Sequence, residues 1–220
     1  AGDVDYGEIG SSYSRYRQPD PRIEAQIHRA LGDAKTVLNV GAGAGSYEPT
    51  DCEVTAVEPS ASMRAQRPIH LSQAIDAVAE SLPFPDSSFD ASMASVTVHQ
   101  WSDLEKGLSE MRRVTRGPVG LLVCDPARMH DYWLSDYIPE VRENEARRFP
   151  AIERLVSGLG GCVKVEPVPV PLDCRDGFNE AYYGRPEMFL DKNARLACSS
   201  WSLVADEVVA RFVRDLSSDL

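Results

Sequence analysis

Short apolar runs alternate with amphipathic segments along most of this chain. The runs that fit buried strands cover residues 37–40, 53–57, 74–79 (weakly), 89–98 and 118–123. In the segments between them, apolar residues recur every three or four positions, which is the spacing of one face of a helix. Because strand and helix alternate through residues 22–123, we expect an α/β fold: a doubly wound, mostly parallel sheet with helices on both faces.

Capping residues mark where several of these helices begin and end. Asp20 followed by Pro21 starts the first helix, and Gly32 ends it. Ser60 starts a short helix after the second strand. The stretch at 102–105 matches a capping box, in which the serine caps the helix that follows.

The last third of the chain has mainly helical spacing. This spacing predicts one helix over residues 152–159, terminated by Gly160, and a second over residues 204–216. Residues 163–170 alternate and contain two prolines, which favours an edge strand. No convincing strand follows, so we expect either a sheet that is one strand short or a truncated chain.

Composition limits the partners and the compartment. The 220 residues suffice for one domain with a sizeable core. Acidic residues outnumber basic ones by 34 to 23, a net charge of −11, which disfavours nucleic acid as a partner. No apolar run can cross a bilayer and no secretory signal is visible, so we expect no membrane partner. Five scattered cysteines without a CxxC pair favour a cytoplasmic location, and the histidines and cysteines lack metal-ligand spacing.

The first strand runs directly into glycines at every second position, in the stretch VLNVGAGAGSYE. Gly41, Gly43 and Gly45 lack Cβ atoms, so the backbone there can turn tightly and bring its N–H groups against a ligand. Glu58 ends the next strand, where a carboxylate can accept two hydrogen bonds from a ribose diol. Together the two features predict an adenosine-containing cofactor. The third glycine stands one position too early for a dinucleotide fingerprint.

Four motifs in order resemble the class I S-adenosylmethionine-dependent methyltransferases, in the small-molecule branch related to the ubiquinone/menaquinone methyltransferases. They are the glycine loop, VEPSASM at 57–63, AESLPFPDSSFD at 79–90 and SVTVHQW at 95–101. More loosely, residues 13–23 and 173–191 resemble the terminal segments of one bacterial branch. The resemblance implies a Rossmann-like fold, S-adenosylmethionine as the cofactor and S-adenosylhomocysteine as the product.

The resemblance also implies which residues bind the cofactor. They are Tyr13, Asn39, Gly41, Ala42, Gly43, Gly45, Glu58, Pro59, Met63, Ala79, Glu80, Ser81, Ser95 and Val96. Glu80 has an equal alternative as a surface acid, and Tyr13, assigned to close over the cofactor, has helix packing as its alternative. Position 39 departs from the family, where aspartate is usual. Because an amide still forms hydrogen bonds, we expect binding to survive.

His99 is the candidate catalytic residue. It stands at the end of a strand, where the transferable methyl group should point. A neutral imidazole can take a proton from a hydroxyl or an amine, so His99 is a candidate general base. The equal alternative is a histidine that packs beside Trp101 and forms hydrogen bonds with the backbone.

Three less typical segments are expected to cap the single domain of residues 1–220. They are residues 1–20, with the substrate-cap segments 126–150 and 173–200. Their aromatic clusters favour a flat or apolar small molecule, and we assign the substrate to Tyr16, Tyr132, Trp133, Tyr182 and Arg185. Any cap needs the same residue types to pack on its domain, so packing is the alternative.

The expected function is S-adenosylmethionine-dependent methyl transfer to an O, N or C nucleophile of a small molecule, by a monomer or a homodimer. The displaced third glycine disfavours an NAD-type oxidoreductase. Asn39 and the missing last strand leave open a regulatory protein that binds the cofactor without transferring methyl.

Overall fold

The computed structural model describes residues 13–220, which form four strands, nine α-helices and short 3₁₀ turns. In chain order the elements are α1 (Tyr13–Tyr16), α2 (Pro21–Leu31), β1 (Thr36–Val40), β2 (Glu53–Val57), α3 (Ala61–Ala65), β3 (Ala91–Ser95), α4 (Leu104–Val114), β4 (Val119–Leu122), α5 (Leu134–Tyr137), α6 (Pro139–Arg148), α7 (Ile152–Leu159), α8 (Lys192–Leu196) and α9 (Asp206–Asp219). The 3₁₀ turns are Val98–Gln100, Pro126–Asp131, Asn179–Tyr182, Pro186–Leu190 and Ser199–Leu203.

All four strands are parallel, in the order β2-β1-β3-β4. Leu38 at the centre of β1 lies beside Thr55 of β2 on one side and Ser92 of β3 on the other. The chain therefore leaves β1 first to one side and then to the other, and strand order reverses at the β1–β3 pair. Ligands of open parallel sheets bind beyond the carboxyl ends of the strands at such a point. The predicted doubly wound, Rossmann-like α/β fold is confirmed.

The predicted caps of α2 and α3 are present. The Asp20 side chain accepts a hydrogen bond from the backbone N–H of Arg22, and Pro21 occupies the first turn of α2. Ser60 caps α3 by accepting from the N–H of Met63 at 3.4 Å. Both helices thus begin where local side-chain chemistry satisfies their first N–H groups.

The predicted capping box at 102–105 is wrong in its cap residue. Asp103 is the N-cap of α4, since its Oδ1 accepts from the N–H of Lys106 at 3.0 Å. Ser102 instead donates both its N–H and its hydroxyl to Glu80. The sequence pattern did not reveal this competing acceptor, which lies 22 residues earlier in the chain.

Two strand predictions are too long, and one is wrong. The strand predicted at 89–98 ends at Ser95, and residues 74–79 contribute one isolated bridge, between Ile75 and Val57. Residues 163–170 form no strand, because alternate prolines leave too few N–H donors for a ladder. Within residues 13–220 no strand follows Leu122, so the described sheet lacks a closing antiparallel strand.

The core has three apolar clusters. One joins β1 and β3 to α4 and α7, through Leu38, Ala94, Leu108 and Leu155. The second covers the opposite face of the sheet with α2. The third joins α5, α6, α8 and α9, and we refer to these helices and the turns beside them as the cap. Within residues 13–220 no helix has both the length and the apolar character to cross a membrane.

Candidate active site

A cavity of about 520 Å³ opens at the carboxyl ends of β1 and β3. Thirteen of the predicted site residues line it: Tyr13, Asn39, Gly41, Ala42, Gly43, Glu58, Pro59, Met63, Ala79, Glu80, Ser95, Val96 and His99. They come from five separate stretches of sequence. The cavity is therefore built where the strand order predicts a ligand site.

Other predicted residues have different surroundings. The N–H of Gly45 donates to the carbonyl of Ala42, and that of Ser81 donates to Val78. The hydroxyl of Tyr16 donates to Asp191. These three residues support the turns and the cap segment next to the cavity.

The aromatic residues assigned to the substrate lie mostly in the cap core. Trp133 donates its ring N–H to the carbonyl of Tyr183, and Tyr182 is buried. Arg185 donates to backbone carbonyls and stacks on the Tyr182 ring. Tyr132 donates its hydroxyl to the carbonyl of Asn179 and lines a second cavity described below.

The glycine loop is fixed to the neighbouring strand by its backbone. The N–H groups of Gly41 and Ala42 both donate to the carbonyl of Val57, at 2.9 Å each. Gly41 and Gly43 have φ values of +70° and +52°, in the left-handed region that glycine tolerates best. A Cβ atom at Gly41 would lie 3.0 Å from Cβ of Thr97 and closer still to its hydroxyl. Glycine at this position is therefore required by both conformation and space.

Glu58 links the glycine loop to the start of α3. Its two carboxylate oxygens accept 2.8 Å hydrogen bonds from the N–H groups of Gly43 and Ser60. The residue is 7% exposed and lines the cavity. Because a carboxylate oxygen has two lone pairs, each oxygen can accept one further hydrogen bond from a ligand hydroxyl.

Asn39 belongs to a buried charge network that the sequence did not reveal. Its side-chain N–H donates to Oε1 of Glu48 at 2.9 Å, and Glu48 forms a 2.9 Å ion pair with Arg67. An aspartate at position 39 would face the Glu48 carboxylate directly. Because Glu48 already places a carboxylate beside position 39, an amide there avoids contact between two negative charges.

The other side of the Asn39 amide supports a cationic ligand. Asn39 is 2% exposed, and its Oδ1 atom is buried. Among residues 13–220 this oxygen has no hydrogen-bonding partner. Buried acceptors are normally satisfied, so this atom calls for a donor. The ammonium group of S-adenosylmethionine would supply one, and the residues present thus fit that cofactor.

Glu80 holds the start of α4 in place. Its Oε1 accepts from the N–H and hydroxyl of Ser102 and from the N–H of Asp103. Burial alone would raise its pKa, but these hydrogen bonds stabilise the carboxylate and hold the pKa below its usual range. The side chain therefore has a structural task, alongside its place in the cavity lining.

Val96 carries backbone strain at the end of β3. Its φ is +52°, an outlier for a β-branched residue, and its N–H donates to Leu122 at 2.8 Å. Such strain persists only where the surrounding structure imposes it, most often at functional sites. It coincides here with the wall of the cavity.

His99 lies in the turn directly after β3. Its ring stacks on Phe149 with a centroid distance of 4.2 Å and an interplanar angle of 30°. Both residues line the cavity. The imidazole is thus held between the sheet and the cap, on the side of the cavity that Glu58 does not occupy.

The cap supplies two acids that the sequence did not single out. Glu145 accepts from Asn179 at 2.7 Å and from Ser200 at 3.1 Å, and Arg142 bonds to both Glu145 and Glu180. Arg142 is 1% exposed. We refer to Arg142, Glu145 and Glu180 as the cap triad. No local sequence pattern predicts the cap triad, because its members come into contact only after the chain has folded.

The cap triad makes stability depend on pH. Burial, together with the nearby charge of Glu180, raises the pKa of Glu145 to about 7 from an ordinary value near 4.5. Below the ordinary value, both the folded and the unfolded chain hold the proton. Between a pH of about 4.5 and about 7, the unfolded chain has released the Glu145 proton whereas the folded chain still holds it. The free energy of unfolding therefore falls as the pH rises through this range. The loss should be on the order of 1–3 kcal/mol.

We expect Glu145→Gln to flatten this dependence. Urea unfolding at pH 5 and pH 8 should show a smaller loss of free energy in the variant than in the unchanged protein. Glu143→Gln, an exposed substitution on the same helix, is the control and should keep the full loss. Equal losses in all three proteins would contradict the raised pKa.

A second cavity, of about 270 Å³, adjoins the first. Both are lined by Tyr47, Val96, Cys124, Phe178 and Glu180. The remaining wall of the second cavity is largely apolar and includes Ile23, Leu122, Met129, Val168 and Val170. The predicted cofactor site thus has an apolar neighbour of the size of a small ring system.

Three separate segments meet at Asp176 beside the cavity. Its two carboxylate oxygens accept from the hydroxyl of Tyr47 at 2.6 Å and from Arg17 at 2.9 Å. Tyr47 follows the glycine loop and has a φ of +65°. Asp176 is buried, so these hydrogen bonds are shielded from water.

Among residues 13–220 no group of three or more acidic, histidine or cysteine side chains is arranged to hold a metal ion.

Known proteins resemble this chain in both sequence and structure. A methyltransferase-domain family matches residues 38–124. A solved protein of Anabaena variabilis ATCC 29413, assigned as a methyltransferase of an antibiotic biosynthesis pathway, is 32% identical. Its alignment covers 94% of this chain and 88% of that one, with a TM-score of 0.86.

Two curated relatives agree with this result. The uncharacterized methyltransferase YcgJ of Bacillus subtilis (strain 168) is 30% identical over 113 residues, which cover 46% of this chain. The match spans 45% of that relative's own length. The malonyl-[acyl-carrier protein] O-methyltransferase of Pseudescherichia vulneris is 28% identical over 187 residues, 76% of this chain and 72% of the relative. With identity to the Anabaena protein extending across most of both chains, this chain belongs to the class I S-adenosylmethionine-dependent methyltransferases.

Proposed function

We propose that this protein transfers a methyl group from S-adenosylmethionine to an O, N or C nucleophile of a small molecule. One observation carries the proposal most directly: Glu58 and the glycine loop are joined by the Gly43 hydrogen bond at the wall of the large cavity. The cofactor supplies an electrophilic methyl group on a sulfonium, so the protein need only hold an acceptor in line with it and keep water out.

The residues that would hold the cofactor come from both sides of the strand-order switch. Glu58 would accept the ribose hydroxyls, and Oδ1 of Asn39 would accept from the ammonium group. The backbone from Ala79 to Ser81 would lie beside the adenine, and Ser95 and Val96 beside the methionine part. Tyr13 lines the same cavity and would close over it.

His99 is our candidate general base. Its place in the cavity lining, stacked on Phe149, keeps the imidazole oriented between the cofactor side and the cap. A hydroxyl or amine acceptor would give its proton to this ring as the new bond forms. A carbon or already ionised nucleophile would need no base.

The partners follow from charge and cavity size. We propose a small-molecule acceptor, because the cavities are lined in part by cap residues and measure a few hundred cubic ångströms. The acidic composition, a net charge of −11, speaks against nucleic acid. The scattered cysteines favour a cytoplasmic site of action for the monomer or homodimer.

Isothermal calorimetry with S-adenosylhomocysteine tests the cofactor site. Glu58→Ala should weaken binding by about 1.5–3 kcal/mol, the range for charged hydrogen bonds. Glu53→Ala removes the same charge from the exposed, opposite end of β2 and should leave affinity unchanged. NADH, the test of the oxidoreductase alternative, should not bind. Normal affinity in Glu58→Ala would refute the ribose assignment.

A further inference from the structure

The cap triad sits where the two cavities meet. Glu180 lines both cavities, while Glu145 lines the larger and Arg142 the smaller. The side chain of Glu180 is 29% exposed, whereas that of Arg142 is 1% exposed. Glu145 is 13% exposed, so Glu180 is the member of the cap triad with the most surface to offer a bound molecule.

Most of the hydrogen-bond donors around Glu180 are already in use. Arg142 spends its three nitrogens on the carbonyl of Met129, on Glu145 and on Glu180. The side-chain N–H groups of Asn179 go to Glu145 and Ser200, and its backbone carbonyl oxygen accepts from Tyr132. The guanidinium has five N–H groups and three are used in this way, and because Arg142 is 1% exposed it has little surface to offer a ligand.

Glu180 itself still has acceptor capacity to offer. Its Oε1 accepts from Arg142 at 2.7 Å, and a carboxylate has about four lone-pair sites in all. One guanidinium is shared by two carboxylates, so the cap triad has a charge of −1 once Glu145 has lost its proton, which happens above a pH of about 7. A ligand that completes it must bring a donor, and a positive charge fits best because charge-assisted hydrogen bonds are the stronger kind. A carboxylate brought to the same place would meet mainly like charge, since four acids line the second cavity (Asp125, Asp131, Asp176 and Glu180) against two arginines, Arg128 and Arg142.

The neighbouring cavity defines the rest of such a ligand. Its apolar wall of Ile23, Leu122, Met129, Val168, Val170 and Phe178 suits a hydrocarbon or aromatic body. From these observations we propose that the acceptor substrate is a small apolar amine, which binds with its ammonium group against Glu180 and its body in the second cavity. For transfer, the ammonium gives one proton to His99, which lines the same large cavity as Glu180. The freed nitrogen lone pair then bonds to the methyl carbon as the S–CH₃ bond breaks, so that the methylated ammonium and S-adenosylhomocysteine are the products. This inference rests on the proposed function for its place in the reaction. It disagrees with a malonyl-type carboxylate acceptor, which the name of the Pseudescherichia relative would suggest.

Three probes with one common body test the choice of functional group. 2-Phenylethylamine, 2-phenylethanol and 3-phenylpropanoate carry an amine, a hydroxyl and a carboxylate on the same phenyl chain. Calorimetry at pH 7.5, with and without saturating S-adenosylhomocysteine, should find the amine bound at least about tenfold more tightly than the alcohol, and the carboxylate bound most weakly. Tightest binding of the carboxylate, or equal binding of all three, would overturn the proposal.

Glu180→Gln keeps the shape of the side chain and removes its charge. It should weaken amine binding by about 10- to 100-fold and change alcohol binding by less than about threefold, so the preference itself is lost. Glu187→Gln makes the same change at an exposed position of the same segment and should behave like the unchanged protein. If Glu180→Gln retains the preference for the amine, Glu180 does not bind it.

The two proposals fail in different ways. If S-adenosylhomocysteine does not bind, the proposed function falls, while the amine series without it still tests Glu180. If S-adenosylhomocysteine binds normally to all three proteins and the probes show no amine preference, only the inference about the acceptor falls. The probe series on the unchanged protein also keeps the test valid if Glu180→Gln folds poorly.

Discussion

Gly41→Ala should abolish S-adenosylhomocysteine binding and lower the free energy of unfolding by about 2–5 kcal/mol. The new Cβ would lie 2.8 Å from Cγ2 and 3.0 Å from Cβ of Thr97, so a change of the threonine rotamer cannot clear the space. The left-handed φ of +70° adds its own cost for an L side chain. The backbone must move, and with it the N–H groups that the loop presents to the cavity.

Gly32→Ala separates the conformational cost from the collision. Gly32 has a φ of +64° and a ψ of −143°, a conformation that glycine tolerates best, and no atom lies within 4 Å of the position that a Cβ would take, so alanine there should cost about 1–3 kcal/mol from conformation alone. Binding, measured by calorimetry at low temperature, should stay normal in that control. Gly41→Ala combined with Thr97→Ala removes the closest contacts and should recover part of the lost stability. Full cofactor affinity in Gly41→Ala alone would mean that the loop is only a turn.

His99→Ala should reduce kcat by about 10²–10⁴-fold while S-adenosylhomocysteine affinity is retained. The ring lies between the cofactor side of the cavity and the cap, and a base there must be neutral to accept the acceptor's proton. A general base in this position should make the rate of the unchanged enzyme rise with pH. The variant should lose that rise. Release of S-adenosylhomocysteine, with any acceptor that the unchanged enzyme methylates, provides the assay.

His99→Gln distinguishes chemistry from packing. Glutamine can form hydrogen bonds and fill part of the space against Phe149, but it cannot act as a base near neutral pH. It should therefore fail to restore turnover. Near-normal kcat in His99→Gln would assign the histidine to positioning, and methyl transfer would then depend on proximity and exclusion of water.

Local motifs were enough to find residues that the fold brings to one cavity. The glycine loop, Glu58 and the end of β3 each follow a strand directly, and a parallel sheet brings all strand ends to one edge. Sequence order alone therefore placed thirteen predicted residues on one cavity. Contacts between distant segments could not be found in this way. Glu48 beside Asn39 is an example, because nothing near an asparagine indicates which acid will meet it after folding.

The cap shows the same limit more strongly. Its aromatic residues were equally suited to binding and to packing, and Trp133 and Tyr182 both pack edge-on against Phe189. Two acids, Glu145 and Glu180, face the cavity instead. Both pair with Arg142, which lies 38 residues before Glu180 in the chain. Hydrophobic spacing predicts which side chains are buried, but it does not predict which charges will be paired.

The meeting of three segments at Asp176 has a thermodynamic consequence. Arg17 comes from the amino-terminal segment, Asp176 from the carboxyl-terminal part and Tyr47 from the glycine loop. If the cap moved away at Asp176, the hydrogen bond between Asp176 and Tyr47 of the loop would break as well. Linkage between two such events is reciprocal. A ligand that binds better when Tyr47 donates to Asp176 would therefore also stabilise the position of Asp176 against Arg17, and the coupling free energy would be the same in both directions.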